Sequence, residues 1–205
     1  MKIGVVDYEG GNLASVAHAV SHLGYSPIIS SDTEVLKRSD KIIFPGVGAA
    51  GATMAALEKS GLKRFIIDTL PELNIPCLGI CIGIQVLFEK SEEDNEKTLG
   101  IIKGEVKKFD SNDNIKIPHI GWNTVHFTNL DDPLLKGVEQ DDYFYFVNSF
   151  YVVPDDSNIV LGTTQYGNHN FATLIRYKHW VASQFHLEKS GEAGLLMLKN
   201  FLEQP

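Results

Sequence analysis

The chain of 205 residues predicts an α/β fold: a central, mostly parallel sheet flanked by helices, with antiparallel strands added in the second half. Three observations predict it. Up to about residue 90, strand-like and helix-like segments alternate across short connections, the pattern of right-handed β-α-β crossovers. The first strand-like segment, "KIGVVDY", is a near-continuous apolar run, as in strands covered on both faces. After Lys90 the chain turns rich in Val, Ile, Tyr and Phe, with turn residues between runs, which favours antiparallel or mixed strands joined to the same sheet. No Pro/Gly/Ser-rich linker divides the halves, so 1–205 reads as a single domain.

In order, "KIGVVDY" is the first strand, and Asn12 stands at the N-cap position of a helix in "LASVAHAVSHLG". Leu13, Val16, Ala17, Val20 and Leu23 recur there at helical spacing, with Gly24 placed to end the helix. His18 and His22 fall on the opposite face. An i, i+4 pair can bind metal, but no third ligand accompanies it, so a solvated face is expected. "SPIIS", "KIIFPGVG" and "IPCLGI" are further strands, separated by helices around 32–38, 51–59 and 62–70. "LGIIKGEVKKF", "HIGWNTVHF", "YFYFVNSFYVV", "IVLGTTQYG" and "ATLIRYKHWVASQFH" supply the later strands, and a last helix is expected over 191–202. The acidic run Glu92, Glu93, Asp94 and Glu96 reads as an exposed loop.

With 18 Lys+Arg against 26 Asp+Glu, the net charge of -8 repels a phosphate backbone, and no basic run offsets it, which argues against nucleic acid. Neither a secretory leader pattern nor about 18 consecutive apolar residues is present, so a cytoplasmic chain without a membrane span is expected. Cys77 and Cys81 are spaced C-x3-C, unlike the usual metal or redox pairs, and are expected to be reduced.

The segment "GICIG" at 79–83 has the form of a nucleophile elbow, G-x-S-x-G, with cysteine for serine. The nucleophile of such a turn sits on a strained strand-to-helix bend, where side chains at 79 and 83 collide with neighbouring backbone. A helix beginning at about Ile82 points free N–H groups at the sulfur and favours a thiolate over a thiol of pKa about 8.5. Buried apolar filler is the competing reading, and the favoured one for Cys77 within its strand. A nucleophile needs a base. Among His18, His22, His119, His126, His169, His179 and His186, the last has Glu188 two residues on; in extended geometry both point the same way, so the carboxylate orients the imidazole.

Together these segments closely resemble the class I, triad-type glutamine amidotransferases, and within them the glutaminase subunits that serve imidazole-glycerol-phosphate synthesis in histidine biosynthesis. The blocks that carry the resemblance run the length of the chain: "VDYEGGNLASV", "PGVGA", "GICIGIQVLFEKSEE", "HIGWN", "YFVNSFY" and "QFHLEKSGEAGLLMLKNF". The resemblance implies a flavodoxin-like α/β fold and a Cys81–His186–Glu188 triad that hydrolyses glutamine to glutamate and ammonia. It places oxyanion donors at Ile82 and at Val47 or Gly48, and glutamine-binding positions at Gly46, Gln85, Ser149 and Phe150. It also implies no metal or cofactor. The partner would be a (β/α)8-barrel cyclase in a heterodimer, receiving the ammonia to make imidazole glycerol phosphate and AICAR, with Asn12, Trp122 and Lys189 facing it. This sequence departs from the family at Leu187, where Pro is usual, at Ala14, where a basic residue is common, at Asn148, where His is common, and at Ala182-Ser183, in place of Gly-Val. The triad is untouched by these changes, but Ala14 and Asn148 bear on coupling to a partner. A paralogue supplying ammonia for sugar amidation in surface-polysaccharide synthesis is the alternative, and a non-catalytic glutamine-binding module is a third reading. An α/β-hydrolase shares the elbow but expects its acid before the histidine.

Overall fold

The computed structural model describes residues 1–110 and 115–204. Four strands of the first half, β1 (Ile3–Val6), β2 (Pro27–Ser30), β3 (Lys41–Phe44) and β4 (Cys77–Ile80), are parallel in the order β2-β1-β3-β4. Every residue of β1, β3 and β4 is buried, as their unbroken apolar composition requires. Alternate side chains feed two cores, Ile42 and Cys77 on one face, Ile43 and Leu78 on the other.

Between them lie α1 (Leu13–His22), α2 (Thr33–Leu36) and α3 (Ala50–Lys59), then a helical stretch of α4 (Leu62–Arg64), a π turn over Phe65–Thr69 and α5 (Leu70–Leu73). The sequence pattern predicts one ordinary helix ending at Leu70. Pro71 near the start of α5 lacks an N–H and crowds the carbonyl four residues back; the widened π turn gives that ring room and lets the helix run on to Leu73. In α1 the buried residues are Val16, Ala19 and Val20. Leu13 and Leu23 pack at the margin of the core, His18 and His22 are exposed, and Gly24 takes φ 87° beyond the last turn.

A single helical turn, α6 (Ile82–Gln85), follows β4. The second half then supplies β5 (Lys90–Ser91), β6 (Glu96–Lys97), β7 (Gly104–Lys108), β8 (His119–Thr124), β9 (His126–Phe127), β10 (Tyr143–Asn148), β11 (Phe150–Pro154), β12 (Val160–Tyr166), β13 (His169–Tyr177) and β14 (Trp180–Ser183), and closes with α7 (Gly191–Glu203). The main sheet continues β4-β14-β13-β11-β7-β5-β6, and β12 pairs with β13 and β9. Two details differ from expectation. β14 lies parallel beside β4, Trp180 opposite Cys77 and Ser183 opposite Ile80, so the parallel array draws one strand from the far end of the chain. β8 and β10 pair only with each other, among the described residues, as a separate antiparallel ribbon. Ile120 and Trp122 on β8 are 60% and 54% exposed, whereas Phe144 and Phe146 on β10 are buried in the core; the ribbon turns one face inward and leaves apolar side chains on the other.

The turn from β4 into α6 is packed at backbone distance from its neighbours. A Cβ on Gly83 would stand 2.5 Å from the carbonyl oxygen of Phe44, and one on Gly79 would stand 2.9 Å from that of Gly83. Both obstacles are main chain and cannot rotate away. Gly83→Ala is therefore expected to lower the unfolding free energy by about 1 to 3 kcal/mol, read by chemical denaturation; wild-type stability in that variant would show that β3 and α6 are not held this close.

Candidate active site

Cys81 closes β4 with φ 56° and ψ -105°, a backbone conformation that an L-residue holds only when its surroundings impose it. Its N–H donates to Ser183 O at 2.8 Å, which ties the bend to the end of β14. The thiol is 7% exposed, at the floor of a cavity of about 420 Å³. α6 contributes one turn only, so the helix-end effect on the sulfur is confined to the N–H groups next to it. Cys77, by contrast, is fully buried in its strand, its Sγ donating to Ile75 O at 3.2 Å, and burial pushes that thiol up, out of reach of ionisation.

His186 and Glu188 meet as predicted but by another local route. His186 is extended (φ -89°, ψ 101°) and leads a 3-10 turn over Leu187–Lys189; the turn, not a continuing strand, brings the side chains together. His186 Nδ1 donates to Glu188 Oε1 at 2.7 Å with both side chains wholly buried. His186 Nε2 has no partner of full hydrogen-bond geometry among the described residues. Burial acts to lower the imidazole pKa, but interaction with Cys81 and Glu188 outweighs it and pushes the value up to about 9. Burial likewise acts to raise the Glu188 pKa, and His186, the backbone and Asn12 together pull it below the usual carboxylate range.

Asn12 is not a side-chain cap. It adopts a left-handed conformation (φ 74°) without a capping hydrogen bond, and its Nδ2 instead donates to Glu188 Oε1 at 2.5 Å. Nothing in the local sequence announces this contact, because the partners are 176 positions apart.

Val47, Gly48, Ile82, Gln85, Ser149, Phe150 and Lys189 line the cavity beside Cys81, as do Pro118, Val147 and Asn148. Gly46 lies behind this wall: a Cβ there would stand within 1.8 Å of the Tyr8 hydroxyl oxygen. Gly48 is glycine for another reason, its φ of 129°. Gln85 Nε2 donates to Phe150 O at 3.1 Å and to Gln184 Oε1 at 3.0 Å. Trp122 is exposed on β8, and Ala14 on α1.

The acidic run corrects its sequence reading. Glu93 is half-buried, lines the cavity and accepts from the Ala50 N–H at 2.7 Å. Burial raises its pKa most, the Ala50 N–H opposes this, and Asp94 adds to it. Sequence reasoning missed it because an acidic run ordinarily marks solvated chain; the neighbouring charges on Glu92 and Asp94 hid the one that turns inward. Of the departures, Leu187 is buried in the core, and Ser183 is buried with its hydroxyl donating to Phe185 O at 2.8 Å. Asn148 is buried, its Nδ2 donating to Phe150 O at 3.0 Å.

A cysteine on a strand-to-helix bend, an imidazole held by a buried carboxylate, and a cavity open at the sulfur have the arrangement of the cysteine-nucleophile class of site. The comparisons make the class particular: the model of the family "Glutamine amidotransferase class-I" matches residues 4–204, and the chain belongs to that family. It is 44% identical over 210 residues to the imidazole glycerol phosphate synthase subunit HisH of Nitrosomonas europaea, with 98% of this chain and 97% of that protein covered. It is 45% identical over 204 residues to the protein of the same name in Bacteroides fragilis, covering 99% of this chain and all (100%) of that one. Among solved structures it resembles a glutamine amidotransferase with TM-score 0.75 at 19% identity, over 98% of this chain and 97% of that one. The PurLQS structure from Thermotoga maritima gives TM-score 0.72 at 19% identity, with the same coverage of 98% and 97%; these two likenesses concern the fold.

The raised pKa of His186 fixes a pH dependence. Folding favours the protonated ring, so its contribution to stability is full below the ordinary 6.5 and is lost as pH rises through about 9. Denaturation between pH 6 and 10 is expected to show this loss in the wild type and not in His186→Gln. Cys81→Ala narrows the window, because Cys81 is one of the groups that raise the value; an identical profile in all three chains would remove the assignment.

Proposed function

We propose that this chain is the glutaminase subunit of an imidazole glycerol phosphate synthase, hydrolysing glutamine to glutamate and ammonia through Cys81, His186 and Glu188. The observation that carries the reading is the strained Cys81 at the floor of the cavity with the sealed His186–Glu188 pair interacting with it from the protein interior. The Cys81 sulfur attacks the carboxamide carbon of glutamine. His186 holds the proton that left the thiol and passes it to the departing ammonia. Water then adds to the thioester carbon, giving a proton to His186, the C–S bond breaks with its electron pair returning to sulfur, and glutamate leaves. Glu188 and, through it, Asn12 hold the ring in place. The N–H of Ile82 and one from Val47 or Gly48 serve the oxyanion, each such donor being worth about 2.7 to 4 kcal/mol. Glu93 and Lys189 give the cavity one charge of each sign, which suits a zwitterionic amino acid, with Glu93 matched to the α-ammonium. Gln85, Ser149, Phe150 and the Gly46 turn shape the rest of the pocket.

Ammonia released to water becomes ammonium, which is not nucleophilic, so a glutamine-using subunit needs a partner that takes the ammonia directly. The partner in this reading is a (β/α)8-barrel cyclase bound as a heterodimer. The exposed Ile120 and Trp122 on the β8–β10 ribbon, with Asn12 and Lys189 near the site, form the docking face. No helix among the described residues is long and apolar enough to cross a membrane, and the chain is read as working in the cytoplasm without contact with membrane or nucleic acid.

Glutamate release, measured with and without the cyclase and its ribonucleotide ligand, tests this. Strong stimulation in the complex is expected, with Cys81→Ala reducing the rate by at least about 10³-fold and Glu188→Gln by less. Retained activity in Cys81→Ala would exclude the sulfur as nucleophile.

A further inference from the structure

Gln184 is fully buried at the exit of β14, and no step above uses it. Its Nε2 lies 3.8 Å from Cys81 Sγ, and its Oε1 accepts from Gln85 Nε2 at 3.0 Å. A side-chain amide can be turned over by exchange of its oxygen and nitrogen, but here the chain of contacts fixes the direction. Phe150 O is a main-chain carbonyl and only accepts. It faces Gln85 at 3.1 Å and Asn148 Nδ2 at 3.0 Å, so Gln85 presents its NH2 group. The same NH2 group faces Gln184, which must answer with oxygen. The NH2 of Gln184 is thereby turned to the sulfur.

We propose that Gln184 is a further catalytic residue, donating an N–H to the Cys81 sulfur and so stabilising its anionic form, with its orientation set by the relay Phe150 O, Gln85, Gln184. The inference rests on Cys81 being the nucleophile. Hydrogen bonds to an ionised acceptor are the stronger kind, and burial keeps water from competing. In the cycle, sulfur is anionic twice: before it attacks the carboxamide, and when the C–S bond of the thioester breaks and the electron pair returns to it. The donor assists both moments. The titratable groups facing the sulfur from other elements are His186 with Glu188 behind it and Tyr8 at the end of β1, while Glu93 and Lys189 line the same cavity.

The test follows the rate of Cys81 alkylation by iodoacetamide against pH in the whole chain, with Cys81→Ala as blank. Two variants separate donation from scaffolding. Gln184→Met removes the N–H and the acceptor; Gln184→Glu keeps an acceptor for Gln85 but puts oxygen against sulfur. In both, the midpoint of the alkylation profile is expected to rise by about one pH unit and stimulated glutaminase kcat to fall on the order of tenfold, with thermal unfolding reported alongside. A profile that moves in Met but not in Glu would assign Gln184 to holding Gln85 alone and overturn the proposal, as would no movement in either. A measurement on the unaltered chain stands beside these: the Gln184 side-chain amide protons in NMR spectra should shift with the alkylation midpoint and lose that step in Cys81→Ala. Amide resonances indifferent to pH across the midpoint would overturn it regardless of how the variants fold. Glutaminase persisting in Cys81→Ala is a separate result, which removes the nucleophile rather than the donor.

Discussion

The backbone of Cys81, with φ 56° and ψ -105°, is the constraint on which the site depends. Such a conformation costs on the order of 1 to 3 kcal/mol and survives only where packing leaves no alternative. Here the packing is main chain on main chain: α6 rises against the Phe44 carbonyl through Gly83, and β4 passes under the turn through Gly79. The N–H of Cys81, bonded to Ser183 O, anchors the bend to a strand from the opposite end of the chain. The strain therefore lifts a thiol out of a buried strand to the floor of an open cavity, one strand length from Cys77, which stays sealed and inert.

The parallel pairing of β4 with β14 does the rest. With Ser183 opposite Ile80, the residues leaving the two strands emerge at the same edge of the sheet, Cys81 from one and Gln184 and His186 from the other. Open α/β sheets place their sites at the carboxyl ends of strands, and this pairing supplies the reason at atomic scale: strands in register deliver successive residues to one place. The β3 exit adds Val47 and Gly48 to the same cavity, and the β1 exit adds Asn12 to Glu188. Four strand ends thus converge.

Burial sets the electrostatics. The His186–Glu188 pair is sealed from water, so the carboxylate keeps its charge because the ring, a backbone N–H and Asn12 donate to it, and the ring keeps its proton because Cys81 and Glu188 are close. Asn12 stands in the loop before α1, half-buried, and reaches Glu188 from there. A contact made from a loop of that kind is easily adjusted from outside, whereas His186 to Glu188, held within one 3-10 turn, is not.

Much of this was legible in the order of residues. The apolar run of β1 was legible because a strand covered on both faces needs no polar alternation, β3 and β4 because strands alternate with helices there, and "GICIG" marked the bend because only glycine tolerates main chain that near. His186 and Glu188 were legible because two positions separate them. What the sequence left open was everything carried by pairing at a distance. Asn12 looked like a cap because local chemistry suits it to that role, and Glu93 looked solvated because its neighbours are charged. The alignment of Gln85 with Gln184, and the choice of β14 rather than an adjacent strand as the neighbour of β4, are likewise tertiary decisions. Local sequence determines which conformations a segment can afford; which distant group meets it depends on sheet register, and no window along the chain contains that.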